Sequence, residues 1–128
     1  MIQNTPATVY RQALNKTFST AFSGIKYFFK TERNGKIQAG VSLITILSGL
    51  YLKLNAVEWI VIMLCIGSVL ALEMINTALE HLCNLVHKDY HPSIKIIKDV
   101  AAGAVLIFSI ISVVAGLIIF LPKLFLLL

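Results

Sequence analysis

A pair of acids stands in or beside a long apolar stretch of the chain. Glu73 and Glu80 lie in "LALEMINTALEH", which continues the apolar run "VEWIVIMLCIGSVLALEMI". An ionised carboxylate within a bilayer costs about 2.5–3.5 kcal/mol on insertion scales, so acids at that depth usually serve a function. A buried glutamate can act as a general base, whereas a glutamate nearer water can hold a hard cation such as Mg²⁺.

Further polar side chains share the helix face of these two acids. Glu73 and Glu80 are two helical turns apart, about 10.5 Å along the axis. At about 100° per residue, six polar side chains fall within an arc of about 100° on an otherwise apolar helix. They are Glu73, Asn76, Thr77, Glu80, Asn84 and His87. The stripe begins inside the membrane and extends into the cytoplasm. A polar seam between packed helices is the alternative interpretation for Thr77 and Asn84.

Charged residues elsewhere in the chain suit a site that handles phosphate. Glu32 precedes the first apolar run, and Asp99 stands at the start of the third. Lys95 and Lys98 lie beside Asp99, where their ammonium groups can pair with phosphate near a helix N-terminus. Simple close packing of the small residues that follow is the alternative interpretation of this segment.

Three possible metal ligands at four-residue spacing, Cys83, His87 and His91, raise the alternative of a zinc site. Pro92 excludes helical geometry at His91, and no fourth soft ligand stands nearby, which disfavours zinc. Cys65 and Cys83 are separated by eighteen residues of predicted helix, roughly 27 Å, so we expect two free thiols.

Composition assigns the chain to the integral membrane proteins. Of its 128 residues 58% are hydrophobic and 13% charged, which is more apolar surface than a soluble domain of this size could bury. Six of the eleven basic residues precede the first apolar run, a pattern that marks the cytoplasmic side of a bilayer. We therefore attribute the net charge of +5 to the membrane and expect neither a nucleic-acid partner nor a cleavable signal peptide.

The hydropathy pattern predicts an all-α membrane protein with one domain, residues 1–128. An amphipathic surface helix is expected at about 7–30, and Asn34-Gly35 signals a turn after it. The alternative is a second, tilted surface helix that continues through Asn34-Gly35. The runs that could cross the membrane lie at about 37–54, 56–79 and 100–121. The second helix should continue to about His87, and the third span should stop at Pro122. The basic N-terminus and residues 81–99 then share the cytoplasmic face.

Three motifs in these segments resemble a known family. "ERN" before the first span, "LEMINTALE" in the second and "DYHPSIKIIKDVAAGAVLI" into the third are similar to the small bacterial integral-membrane diacylglycerol kinases, which include the undecaprenol kinases of Gram-positive bacteria. The resemblance covers roughly residues 18 to 122. It implies a homotrimer of three-span subunits in the bacterial cytoplasmic membrane. Sites shared between subunits at the cytoplasmic face would transfer phosphate from ATP to a lipid hydroxyl.

The resemblance also implies roles for individual residues. Glu73 takes the place of the general base that accepts the hydroxyl proton, while Glu32 and Glu80 match the acids that hold Mg²⁺ against the ATP phosphates. Asn84 stands where many members have Asp and is assigned no role. The implied ATP contacts are Asn76, Asp89, Tyr90, His91, Lys98 and Asp99. The implied lipid contacts are Lys26, Asn34 and Gln38.

Four alternatives stay open on the sequence. Gln38 replaces a histidine expected in the undecaprenol branch, so the acceptor is diacylglycerol, undecaprenol or another lipid alcohol. The N-terminal basic residue that contacts nucleotide is Arg11 or Lys16. Glu32 acts within its own chain or on a neighbour. The competing functions are a small proton-coupled transporter that uses Glu73 and a non-enzymatic membrane scaffold.

Overall fold

A computed structural model describes the backbone from Pro6 to Leu128 and the side chains from Ala13 onward. Over that part of the chain the protein forms four helices. They are α1 (Pro6–Thr31), α2 (Arg33–Tyr51), α3 (Ala56–Val86) and α4 (Pro92–Phe125). The all-α prediction is confirmed, and the Arg11 side chain, one of the two predicted N-terminal nucleotide contacts, lies outside the described residues.

The break between α1 and α2 falls at Glu32, whose extended backbone (φ −85°, ψ 129°) caps the start of α2. The predicted turn at Asn34-Gly35 is therefore wrong, because both residues lie inside α2. Gly35 instead allows α1 and α2 to approach each other closely, because a Cβ at this position would lie 2.7 Å from the Phe28 carbonyl oxygen. Phe28, buried at 2% exposure, packs against this glycine and fixes the angle between the two helices.

Helix α3 begins with a capping box and ends close to its predicted end. The Asn55 side chain accepts a hydrogen bond from the Glu58 N–H, and the Glu58 carboxylate accepts one from the Asn55 N–H. Such reciprocal bonds satisfy two N–H groups that a helix start leaves unpaired. The helix then runs without a break to Val86, so Glu73 and Glu80 share one continuous rod with His87 as its C-cap.

Helix α4 packs antiparallel to α3, and this pair makes the most extensive helix contact. His91 is the extended N-cap of α4, in agreement with its predicted non-helical geometry, and Pro92 occupies the first turn. The helix thus begins before the predicted start of the third span, at about 100, because the fixed φ of Pro92 suits a first helical turn. At the opposite end Lys123 Nζ lies 3.0 Å from Glu58 Oε2. The helix continues through Pro122 to Phe125, beyond the predicted end of the third span, because a proline near a helix end removes only one backbone hydrogen bond.

Helices α3 and α4 are long and apolar enough to cross a membrane. Only 22% and 11% of their most apolar windows are buried, whereas a core helix of a soluble protein would be mostly buried. Helix α2 is shorter, 19 residues, and its first turns are polar, so the first predicted span, 37–54, stays a prediction. The buried side chains among the described residues are Phe28, Leu54, Ile62, Val69, Glu73, Asn76, Cys83 and Val105.

Candidate active site

Glu73 is the deepest acid of the described chain, 7% exposed on α3. Its Oε2 accepts a hydrogen bond of 3.3 Å from the Asn34 side-chain amide of α2. The described side chains give it no ion-pair partner. A carboxylate held by a neutral amide keeps lone pairs free to accept a proton, as a general base must.

Asn76 lies one turn from Glu73 and is equally buried, at 7% exposure. Its amide nitrogen donates to Glu80 Oε1 at 3.3 Å, which orients the more exposed of the two acids of the stripe. Its Oδ1 is buried without a hydrogen-bond partner among the described residues. A buried acceptor without a donor costs about 1–3 kcal/mol, so this oxygen is suited to a donor that a ligand or a second chain would bring.

Glu32 reaches α3 from the junction of α1 and α2. Its Oε1 lies 3.2 Å from His81 Nε2, and His81 directly follows Glu80. The contact places both predicted magnesium ligands at the same end of α3. Among the described residues, no three His, Cys, Asp or Glu side chains gather as a metal-binding group. Magnesium fits such a site better than zinc, because it commonly uses one or two carboxylates and completes its shell with water and phosphate.

The zinc alternative has no support in the described part of the chain. The rings of His87 and His91 pack edge to face with centroids 5.6 Å apart, and His91 Nδ1 accepts a hydrogen bond from the Ser93 N–H. Cys83 is buried and unpaired by any disulfide. Both cysteines are free thiols, as predicted.

A polar cleft lies where α3 turns into α4, and most of the predicted ATP contacts line it. Lys98 spans the two helices, donating a hydrogen bond of 2.8 Å to Asn84 Oδ1. Asp99 lies outside the lining and pairs with Lys95 one turn earlier on α4. Asn76 also lies outside, beside a separate apolar crevice between α3 and α4. The lining residues are Asn84, His87, Lys88, Asp89, Tyr90, His91, Ile94, Lys95 and Lys98.

Of the three predicted lipid contacts, two lie on α2 and one lies on α1. Asn34 bonds Glu73, and Gln38, one turn further along α2, lines a mostly apolar cavity between α2, α3 and α4. Lys26 is exposed on α1, as is Lys16, the second candidate for an N-terminal nucleotide contact.

Two residues of this end of the molecule were missed by reasoning from the sequence. His81 contacts Glu32, but it falls about 80° from Glu73 around α3 and thus outside the polar stripe. Asn84 belongs to the predicted polar stripe but has no predicted role, and its Oδ1 accepts the hydrogen bond from Lys98. No signal in the sequence marks His81, because its contact with Glu32 depends on how the α1–α2 junction meets α3 and neighbouring residues of a helix do not face the same side.

Comparison with known proteins shows the family to which this chain belongs. The family model for prokaryotic diacylglycerol kinase matches residues 19–120. The chain belongs to the prokaryotic diacylglycerol kinase family. It is 42% identical to an undecaprenol kinase of Bacillus subtilis over 118 residues, which cover 90% of this chain and 96% of that protein. It is also 42% identical to a diacylglycerol kinase of Synechocystis over 111 residues, 84% of this chain and 62% of that longer protein.

Membership makes the protein a membrane-embedded lipid kinase, in agreement with its two strongly apolar helices. A kinase of this family takes a lipid as acceptor and ATP as phosphate donor. The family predicted from "ERN", "LEMINTALE" and "DYHPSIKIIKDVAAGAVLI" is therefore confirmed.

Proposed function

We propose that the protein uses Mg²⁺ and ATP to phosphorylate the hydroxyl group of diacylglycerol or undecaprenol at the cytoplasmic face of a bacterial inner membrane. The observation that carries this proposal is the buried Glu73, held by Asn34 where the apolar part of α3 gives way to its polar end. The relative matched over nearly its full length is an undecaprenol kinase, so undecaprenol is the acceptor to test first. Family membership favours a kinase over the proton-coupled transporter and the scaffold.

In the proposed reaction the Glu73 carboxylate takes the proton of the lipid hydroxyl as that oxygen attacks the γ-phosphorus of ATP. The bond between the γ-phosphorus and the bridging oxygen breaks, and ADP leaves. Little covalent work falls to the protein, because phosphoryl transfer depends mainly on positioning and charge neutralisation. A base buried within the membrane would be accessible to the hydroxyl group of a lipid, whereas a water-soluble alcohol would not reach it.

Glu32 and Glu80 are the residues that would hold Mg²⁺. Both offer hard carboxylate oxygens, and each has one oxygen, Oε1, fixed by a neighbouring side chain. Glu80 lies near the end of α3 that we assign to the cytoplasm, and Glu32 contacts that same end through His81. Bound there, the ion would neutralise charge on the phosphates of ATP. Lys98, with Asp89, Tyr90 and His91 in the adjacent cleft, would contact the nucleotide, and Asn76 and Asp99 would do so from outside that cleft.

We further propose that α2 contributes a third span and that three copies form the active enzyme, with the N-terminus in the cytoplasm. The apolar side chains Val41, Leu43, Ile44 and Leu47 of α2 are 53–67% exposed, as expected of a helix that faces lipid or another copy. Asn76 Oδ1, which is buried without a hydrogen-bond donor among the described residues, supports a contact with another subunit. A donor from a neighbouring subunit would remove its desolvation cost.

The test is phosphate transfer from γ-labelled ATP into each lipid in detergent micelles, with and without Mg²⁺. The proposal predicts Mg²⁺-dependent labelling of undecaprenol, diacylglycerol or both, and no labelling of either lipid would refute it.

For the shared site, inactive Glu73→Gln subunits are mixed with inactive Glu32→Ala subunits after dissociation. Recovery of part of the wild-type activity shows that neighbouring chains build one site, whereas a mixture that stays inactive places each site within one chain.

A further inference from the structure

His81 has no part in the reaction proposed above, yet it bridges three helices. Its Nε2 lies 3.2 Å from Glu32 Oε1, and its ring packs edge-on against the Tyr27 ring of α1 with centroids 6.1 Å apart. Because a carboxylate accepts hydrogen bonds and cannot donate them, Nε2 carries the hydrogen in this contact. His81 thereby ties the end of α1 and the start of α2 to α3.

Glu32 occupies a position that capping does not explain. It is the N-cap residue of α2, a position that favours Ser, Thr, Asp or Asn, and its side chain makes no capping hydrogen bond. The carboxylate reaches to α3 instead, where His81 holds one of its oxygens. A residue that breaks a local structural preference while making a specific contact elsewhere indicates a functional demand on that residue.

The contact between His81 and Glu32 is too exposed to contribute much to the stability of the folded protein. The side chains of His81 and Glu32 are 54% and 27% exposed, and ion pairs at such positions stabilise folded proteins little. What the contact does supply is orientation. A glutamate side chain has three rotatable bonds, and the His81 N–H fixes where its carboxylate lies, while the Tyr27 ring limits the movement of the imidazole.

We infer that His81 is a positioning residue for metal binding: by holding Glu32 Oε1 it would orient the carboxylate and leave Oε2 free to bind Mg²⁺. This inference rests on the proposed role of Glu32 as a magnesium ligand. Groups that orient metal-binding side chains commonly change metal affinity 10- to 100-fold when they are removed. Because this pair is partly exposed, we expect a loss of about tenfold, the lower end of that range.

The test compares His81→Ala with His81→Gln, whose amide can still donate a hydrogen bond to Glu32. Mn²⁺ replaces Mg²⁺ as a spectroscopic probe, and its binding is measured by electron paramagnetic resonance on the detergent-solubilised full chain with a non-hydrolysable ATP analogue. We expect His81→Ala to weaken Mn²⁺ binding about tenfold and His81→Gln to restore most of it. The turnover of His81→Ala at saturating Mg²⁺ should stay within about twofold of wild type.

The same change is then made in a Glu32→Ala background, where His81→Ala should have no further effect on Mn²⁺ binding. Ser23→Ala is the matched control, since Ser23 is an exposed residue of α1 that bonds the Ser19 carbonyl oxygen of its own helix. It should bind Mn²⁺ as the wild type does.

Three results would overturn the inference. Unchanged Mn²⁺ binding in His81→Ala, with weakened binding in Glu32→Ala, removes the role of His81 and leaves the proposed function intact. Unchanged binding in Glu32→Ala removes the metal role of Glu32 and the inference with it. If His81→Ala fails to fold, His81→Gln decides: a folded His81→Gln protein that binds Mn²⁺ tenfold more weakly would refute positioning through a hydrogen bond.

Discussion

Replacing Asn34 by alanine tests whether Asn34 positions the Glu73 carboxylate or binds the lipid substrate. The substitution removes the amide that donates to Glu73 Oε2 at 3.3 Å. A hydrogen bond to a charged group contributes about 1.5–3 kcal/mol, and this one is long and starts from an exposed residue, so the lower value applies. Each 1.36 kcal/mol lost from the transition state slows a reaction tenfold, and turnover should therefore fall by about tenfold.

The assay measures kcat and the KM for lipid in mixed micelles for Asn34→Ala and for Asn15→Ala, a control at an exposed asparagine of α1. If Asn34 holds the base, kcat falls while KM changes by less than about twofold. If Asn34 is a lipid contact, as the family resemblance implies, KM rises and kcat is largely kept. Near-wild-type values of both would refute a role for the bond between Asn34 and Glu73.

Four further substitutions test the metal site, the nucleotide cleft and the packing. Glu32→Ala and Glu80→Ala should each raise the Mg²⁺ concentration for half-maximal activity, because each removes a hard oxygen ligand. Lys98→Met should raise the KM for ATP by about tenfold through loss of a charge-assisted phosphate contact. Gly49→Ala should lower stability by about 1–3 kcal/mol, measured by thermal unfolding in detergent, because a Cβ there would lie 2.8 Å from the Trp59 indole.

For each of these predictions there is a control variant or a result that would contradict it. An unchanged Mg²⁺ dependence in both glutamate variants would contradict their assignment as ligands. A normal KM for ATP in Lys98→Met would place the nucleotide away from the cleft. Gly40→Ala is the packing control, because no described atom lies within 4 Å of a Cβ at Gly40, and its melting temperature should not fall.

The placement of polar side chains on one face of α3 could be predicted because helical periodicity is a property of one segment. Spacing alone predicts one shared face for Glu73, Asn76 and Glu80. In the structure Glu73 and Asn76 are buried, and the Asn76 amide donates a hydrogen bond to Glu80. Likewise the extended backbone of His91 could be predicted, because a proline restricts the residue before it whatever the rest of the chain does.

What the sequence did not reveal depends on how separate helices meet. Asn34-Gly35 signals a turn in the sequence, whereas Gly35 lies inside α2 and leaves room for Phe28. That contact depends on the angle between α1 and α2, which the sequence of neither helix contains. His81 lies off the polar stripe and gains its contact because the α1–α2 junction reaches that flank of α3. Periodicity along one helix contains no information about where a neighbouring helix will be placed against it.

The central claim is that a buried carboxylate on α3 is the base for phosphoryl transfer from ATP to a membrane lipid. The most direct measurement is labelled-phosphate transfer to lipid by Glu73→Gln, alongside ATP binding by the same protein. The variant keeps the size of the side chain and removes the base, so turnover should fall by about 10²-fold or more while ATP binding is retained. Lipid phosphorylation at a near-normal rate by Glu73→Gln would contradict the mechanism proposed for this kinase.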